Sequence, residues 1–225
     1  MSTILALERR APPRSEAAPQ VVPIPVAKRL LDILLSGVGL LCSSPLWVVL
    51  AALVKLEDGG PVFYSQERVG EGGRSFRAWK FRSMVTDAEK HGALQAAHND
   101  PRVTRIGRLM RATAMDELPQ LWSIFVGDMS FVGPRALRPG EIEVLGSGAL
   151  ELLEDVPGYR DRCRVRPGLT GIAQVYAARD IPRRNKFRYD RLYIARQSLW
   201  LDVRLIVLSF WITFRGRWET RGTKI

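Results

Sequence analysis

The stretch ILLSGVGLLCSSPLWVVLAALV, residues 33–54, decides the fold: 22 consecutive residues carry no formal charge. As a helix it would extend about 33 Å at ~1.5 Å per residue, enough to cross a hydrocarbon core of ~30 Å. Pro45 stands near its centre, where it removes a backbone hydrogen bond and crowds the preceding turn. Ser43 and Ser44, just before it, can bond back to carbonyls and favour a bend. Lys28 and Arg29 flank the run on one side and Lys55 on the other, so charge gives no inside–outside asymmetry. A re-entrant helix-break-helix over residues 28–56, broken at Ser44-Pro45, satisfies all three features. A kinked single span and a buried helix of a soluble domain are the alternatives.

Before it, residues 1–27 hold five Pro and three Arg with no sustained apolar period, and read as a disordered or extended arm. No apolar core region follows the early charges before Lys28, so this arm does not read as a secretory signal. After it, PVFYSQERVGEGGRSFRAWKFRS (61–83) alternates apolar and polar around Gly70, Gly72 and Gly73: a β-hairpin. Residues 86–110 read as helical or irregular, and TAMDELPQLWSIFV (113–126) has helical spacing. GDMSFVGPR is a loop, 139–155 a second helix with acids on one face, and VRPGLTGIAQVY holds a short strand after a turn. Leu205–Phe214 is an uncharged decapeptide between Arg204 and Arg215. It is too short to span, and suits either a membrane interface or an ordinary core. The expected fold is therefore α+β: a membrane-embedded segment, then a catalytic domain over 57–215 with interfacial helices and a short hairpin. Residues 216–225 form a basic tail.

Composition narrows the partner. Lys and Arg total 34 against 23 Asp and Glu, a net charge of +11, and 28 of the 34 are Arg. An anionic partner is implied, and the planar Arg fork suits phosphate. No nucleic-acid-binding signature accompanies the charge, and the apolar run is hard to reconcile with such a role. Two cysteines, Cys42 and Cys163, make no disulfide framework, and with His91 and His98 they show no zinc-ligand spacing.

Asp116 and Glu117 are the first candidates for chemistry. Thr113 and Asp116 have capping-box spacing, Asp116 could itself be an N-cap, and Pro119 would then fall in the first turn. Such acids usually only stabilise a helix start. The same helix start can also hold a phosphate, beside which a carboxylate could attack phosphorus or bind a metal. Basic candidates for substrate phosphates surround them in sequence: Lys80 and Arg82 in KFRSM, Arg111, Arg135 in the GPR turn, Arg166 and Arg179. Each could equally be ordinary surface charge. The glycines at 70, 72 and 73 precede no helix and read as a turn rather than a phosphate cradle.

Taken in order, the KR..D of Lys28–Asp32, the apolar run with its Pro, GPVFYSQERVG, KFRSM, DPRVTRIGRLMR, DELPQLW, GDMSFVGPR, RPGLTGIAQV and SLWLD resemble the bacterial sugar transferase family. These are monotopic phosphoglycosyl transferases that initiate capsule, exopolysaccharide and O-antigen assembly, and the resemblance covers about residues 28–215. It is to the small, catalytic-domain-only members. It implies transfer of a sugar phosphate from a UDP-sugar to polyprenyl phosphate with release of UMP, at the bacterial inner membrane with the catalytic domain facing the cytoplasm. The implied partners are thus a UDP-sugar, polyprenyl phosphate and membrane lipids. It implies an Asp116-Glu117 catalytic dyad, attack by Asp116 on the β-phosphate, and Mg²⁺ with Asp116 as its candidate ligand. Lys80, Arg111 and Arg135 match positions around the substrate phosphates; Asp190 and Asp202 match acids of the C-terminal part. Where the family pattern reads AQVNGRN this chain reads AQVYAARD, which moves Arg179 one residue from the usual arginine. A basic, non-catalytic membrane adaptor would also explain the charge and the apolar run, but not the DELPQ and GPR segments.

Overall fold

A computed structural model describes residues 19–88, 100–144, 149–178 and 181–215. Its first helix, α1 (Val26–Asp58), is 33 residues long and carries Pro45 inside it. It is the one described helix long and apolar enough to cross a membrane. The expected break at Pro45 is not an interruption of the helix: α1 runs through it. The Ser44 hydroxyl donates to the Leu41 carbonyl at 2.8 Å, the acceptor that the proline nitrogen, four residues on, cannot serve. The chain before α1, residues 19–25, has no regular secondary structure. It is tied down by the Val22 N–H on the Arg164 carbonyl at 2.8 Å.

The hairpin forms as its alternation predicts, with β1 (Phe63–Val69) antiparallel to β2 (Ser75–Phe81) around a turn at Glu71–Gly73. Helix α2 (Arg105–Ala112) follows, capped by Thr104, whose hydroxyl accepts from the Gly107 N–H. A 3₁₀ turn at Met115–Glu117 leads to α3 (Gln120–Val126). Strand β3 (Ser130–Val132) pairs in parallel with β6 (Gly168–Thr170). Glycines make that pairing possible: a Cβ at Gly168 would lie 2.0 Å from the Gly133 nitrogen. Between them, residues 139–155 depart from the expected helix. They form β4 (Ile142–Val144), β5 (Leu150–Leu152) and a 3₁₀ turn at Leu153–Asp155, with Ile142 opposite Leu152. Apolar Ile142, Val144, Leu150 and Leu152 at alternate positions pair across the ladder, and period 2 prevails over the acidic stripe. Short helices α4 (Tyr159–Arg162) and α5 (Ile172–Tyr176) precede α6 (Arg183–Arg196) and α7 (Leu199–Phe214).

Of three apolar clusters among the described residues, two position the elements around the dyad; the third packs Leu137, Leu153 and Val156 on Phe187 of α6. One joins α3, β3, α5, α6 and α7 through Leu121, Ile124, Val132, Val175, Tyr193 and Leu205. Helix α1 docks on it closely: a Cβ at Gly39 would lie 3.1 Å from Leu121. The other joins the C-terminal half of α1 (Leu50, Val54) to Phe81 and Met110, with Met115 and Leu118 packed against it. Helix α7 is two-sided: Leu205, Ile206 and Ile212 are buried while Trp200, Val207, Phe210, Trp211 and Phe214 face outward. With Leu34, Val38, Leu41, Val48 and Leu56 of α1, also exposed, they leave far more large apolar side chains at the surface than scattered exceptions would.

Candidate active site

Both ends of α1 are fastened to the body by charged side chains. Near its start, the buried Lys28 donates to the Val132 carbonyl and to Asp202, both at 3.0 Å, and Asp202 accepts from the Tyr193 hydroxyl at 2.8 Å. Arg29 donates to the Ile124 and Phe125 carbonyls at 2.7 Å each, capping the C-terminal end of α3. Asp32 accepts from the Phe131 N–H at 2.9 Å. At the far end, Glu57 accepts from the Arg105 N–H at the start of α2, and Asp58 takes the Arg82 guanidinium with both oxygens. The second apolar cluster ties that same end to Met115 and Leu118, the neighbours of the Asp-Glu dyad.

The dyad is presented differently from a helix start. Thr113 does not cap; its hydroxyl donates back to the Leu109 carbonyl at 2.9 Å. Ala114 adopts φ 56°, a left-handed conformation unfavourable for a side-chain-bearing residue. That reversal sends the chain into the 3₁₀ turn holding Asp116 and Glu117, and α3 begins only at Gln120, with Pro119 as its N-cap.

Glu117 lies under cations. Lys80, from β2, closes on its Oε1 in a short ion pair, and Arg135 stands 3.8 Å from the same oxygen. Burial alone would push the Glu117 carboxyl up, but Lys80, Arg135 and Arg68 outweigh it and hold the group below the usual range. Asp116 goes the other way: burial is the largest influence and raises its pKa, Glu117 adds to it, and Lys80, Arg111 and Arg135 offset only part. Among the described residues no ion pair or hydrogen bond engages the Asp116 carboxylate. One carboxylate is clamped by its cations, and among the described residues its neighbour is unengaged.

Other sequence candidates lie elsewhere. Arg82 is 7% exposed; besides Asp58 it donates to the Pro61 carbonyl at 2.6 Å and to Thr86 at 3.1 Å, so its guanidinium is occupied. Arg166 stands 3.7 Å from Glu71 and beside Gly127, near Arg29. Asp190 is paired with the buried Arg162 at 3.1 Å, and Asp202 with Lys28. Arg179 lies outside the described residues, as do His91, His98 and the tail from residue 216. The structure thus gathers Asp116, Glu117, Lys80, Arg111 and Arg135, and uses Arg82, Asp190 and Asp202 to join elements. It adds Arg68, which sequence reading passed over. The alternation of β1 placed it on the Lys80 face, but nothing in the sequence showed what that face meets.

Among the described residues, no group of three or more His, Cys, Asp or Glu side chains is arranged to hold a metal. Mg²⁺ commonly takes only one or two carboxylates and completes its shell with water and substrate phosphates. The unengaged Asp116 carboxylate fits that mode.

The site is thus a strained turn presenting two carboxyls of opposed character among Lys and Arg, on the body to which a membrane-length helix is fastened. The chain belongs to the bacterial sugar transferase family, which matches it over residues 24–216. It is 43% identical over 182 residues to the UDP-N-acetylgalactosamine-undecaprenyl-phosphate N-acetylgalactosaminephosphotransferase of Aeromonas hydrophila, covering 80% of this chain and 41% of that protein. It is 38% identical over 196 residues to the exopolysaccharide production protein ExoY of Rhizobium meliloti, covering 80% of this chain and 82% of that one. With a Bacillus subtilis protein named as a putative undecaprenyl-phosphate N-acetylgalactosaminyl 1-phosphate transferase it shares 46% over 145 residues, 60% of this chain and 81% of that one. The chain therefore spans about two fifths of the first of these relatives and most of the other two.

Proposed function

We propose that the protein transfers a sugar 1-phosphate from a UDP-sugar to polyprenyl phosphate, releasing UMP. The carrying observation is the asymmetry of the dyad: Glu117 is clamped by Lys80 beneath Arg135, while the carboxylate of Asp116 is unengaged. Divergent environments for two neighbouring carboxyls divide their roles. In this reading an Asp116 oxygen attacks the β-phosphorus of the donor. The bond from that phosphorus to the bridging oxygen breaks, and UMP leaves with the electron pair. A phosphate oxygen of the lipid then attacks the same phosphorus, the Asp116–phosphorus bond breaks, and Asp116 returns as a carboxylate. Lys80, Arg111 and Arg135 neutralise the diphosphate, and the fixed Glu117 holds Lys80 in place for it. Mg²⁺, held by Asp116 with phosphate oxygens, would add charge neutralisation at the departing UMP.

Sequential chemistry on one phosphorus needs one site reachable by a water-soluble donor and by a lipid. The proposal places α1 as a re-entrant helix, continuous but bent at Ser44-Pro45, with both ends at the cytoplasmic face of the inner membrane. Its support is the attachment of both ends to one body, through Lys28, Arg29 and Asp32 at one end and Glu57 and Asp58 at the other. The exposed apolar sides of α1 and α7 supply a surface for lipid. The test is UMP release in detergent from a panel of UDP-sugars with undecaprenyl phosphate. Turnover with one donor, lost in Asp116→Asn, supports the reading; no UMP from any donor rejects it.

A further inference from the structure

Arg68 lies opposite Phe76, four register positions from the Tyr64–Lys80 pair, an even step that puts it on the Lys80 face of the hairpin. Along that face runs a ladder of side chains. Arg68 Nη2 donates to Gln66 Oε1 at 2.5 Å, and Gln66 Nε2 donates to the Tyr64 hydroxyl at 2.8 Å. The other arm of the guanidinium, Nη1, donates to the Ala136 carbonyl at 3.0 Å. One residue further, the Val69 N–H donates to the Leu137 carbonyl at 2.8 Å. The loop carrying Arg135 is therefore stitched to β1 at two successive peptides.

Arg68 also stands among like charges. Burial, then Arg135 and Arg138, lower its pKa to about 10, while Glu141 and Glu117 act in the opposite sense. Its hydrogen bond fixes the backbone next to Arg135 while its charge repels the Arg135 side chain. The two cations meet Glu117 differently. Lys80 closes on the Glu117 oxygen, whereas Arg135 stops at 3.8 Å, beyond hydrogen-bond range, with its side chain 48% exposed.

Resting on the donor reading above, we infer that Arg68 is a positioning residue for donor binding: it holds Arg135 short of a closed ion pair with Glu117, so that the guanidinium stays available to a diphosphate oxygen. A diphosphate would also offset the repulsion among Arg68, Arg135 and Arg138. Without Arg68, Arg135 can close on Glu117, and the donor must then displace a carboxylate to bind.

The test is UMP release against donor concentration for the wild type, Arg68→Gln, Arg68→Lys, Arg135→Gln and the Arg68→Gln/Arg135→Gln double variant. Thermal unfolding of each is measured alongside. Arg68→Gln is expected to raise the donor KM ~10-fold with kcat within ~3-fold, the pattern of lost ground-state binding. Arg68→Lys, which keeps the charge, is expected to recover most of that loss. In the Arg135→Gln background, Arg68→Gln is expected to add nothing further, because the group through which it acts is gone. Additive effects of the two substitutions, or a fall in kcat and melting temperature at unchanged donor KM, overturn the inference. Should Arg68→Gln fail to fold, Arg68→Lys in the Arg135→Gln background decides: a KM equal to that of Arg135→Gln supports the inference, and a further rise overturns it. A wild-type protein that releases no UMP from any donor rejects the donor reading itself, a result distinguishable before any variant is made.

Discussion

The Ser44 hydroxyl donates at 2.8 Å to the Leu41 carbonyl, the acceptor that Pro45 leaves unserved. In lipid an unpaired carbonyl costs more than in water, so the Ser-Pro pair works as a unit: the proline removes a bond and the serine replaces it. The Trp47 indole adds a second local bond, donating to Ser43 at 3.0 Å.

Ser44→Ala therefore leaves the Leu41 carbonyl bare and is expected to destabilise the protein by about 1–3 kcal/mol. Pro45→Ala acts oppositely, restoring a helical bond and relieving a clash worth ~3 kcal/mol in a helix interior, and is expected to bias α1 towards spanning. Single cysteines at Pro25 and Pro61, in a background lacking Cys42 and Cys163, report this through a membrane-impermeant thiol reagent. Wild-type protein should label at both positions from one side, and Pro45→Ala should show labelling from opposite sides.

Lys28 and Asp202 form a buried ion pair, their side chains 6% and 1% exposed. Asp202→Asn removes the carboxylate paired with the buried ammonium, leaving it the Val132 carbonyl and the less direct charge of Asp32, and is expected to cost about 3 kcal/mol. Replacing both, as Lys28→Met with Asp202→Leu, should recover much of that loss, because the desolvation cost goes with the charges. Thermal unfolding in detergent distinguishes the two variants.

Arg82 separates structure from chemistry. Its guanidinium is spent on Asp58, the Pro61 carbonyl and Thr86, which joins the end of α1 to β2. Arg82→Gln is expected to lower stability by about 1.5–3 kcal/mol, the scale of hydrogen bonds to a charged group, with the donor KM unchanged. Lys80→Gln should do the reverse: a modest loss of stability, because both partners are partly exposed, but a large loss of turnover, because a cation facing the substrate phosphates is gone. Paired melting and steady-state measurements on the two variants check this.

The legible parts of the sequence were those whose signal is local. The hairpin was written in its alternation and its glycines, the membrane-length run in its missing charges, and the Asp116-Glu117 pair in an ordered series of motifs. What escaped was set by partners far along the chain. Arg82 meets Asp58 across 24 positions, so its neighbours could not tell it from a phosphate ligand, and Asp202 meets Lys28 across 174. Residues 139–155 were misread because acids on one helical face and alternating apolar residues are both present there, and pairing of β4 with β5 decided between them. The turn at Ala114 was hidden for a different reason: an alanine gives no sign that its backbone is left-handed.

The account stands most directly on whether Asp116 becomes covalently modified. The measurement is intact-protein and peptide mass spectrometry of the wild type after incubation with an accepted UDP-sugar and Mg²⁺, without lipid acceptor, with released UMP counted in the same samples. The account predicts at most one UMP per active site and a sugar phosphate on the peptide carrying Asp116, discharged when polyprenyl phosphate is added and never formed by Asp116→Asn. No adduct, with UMP appearing only once the lipid is present, would contradict it and assign the displacement to the lipid phosphate directly.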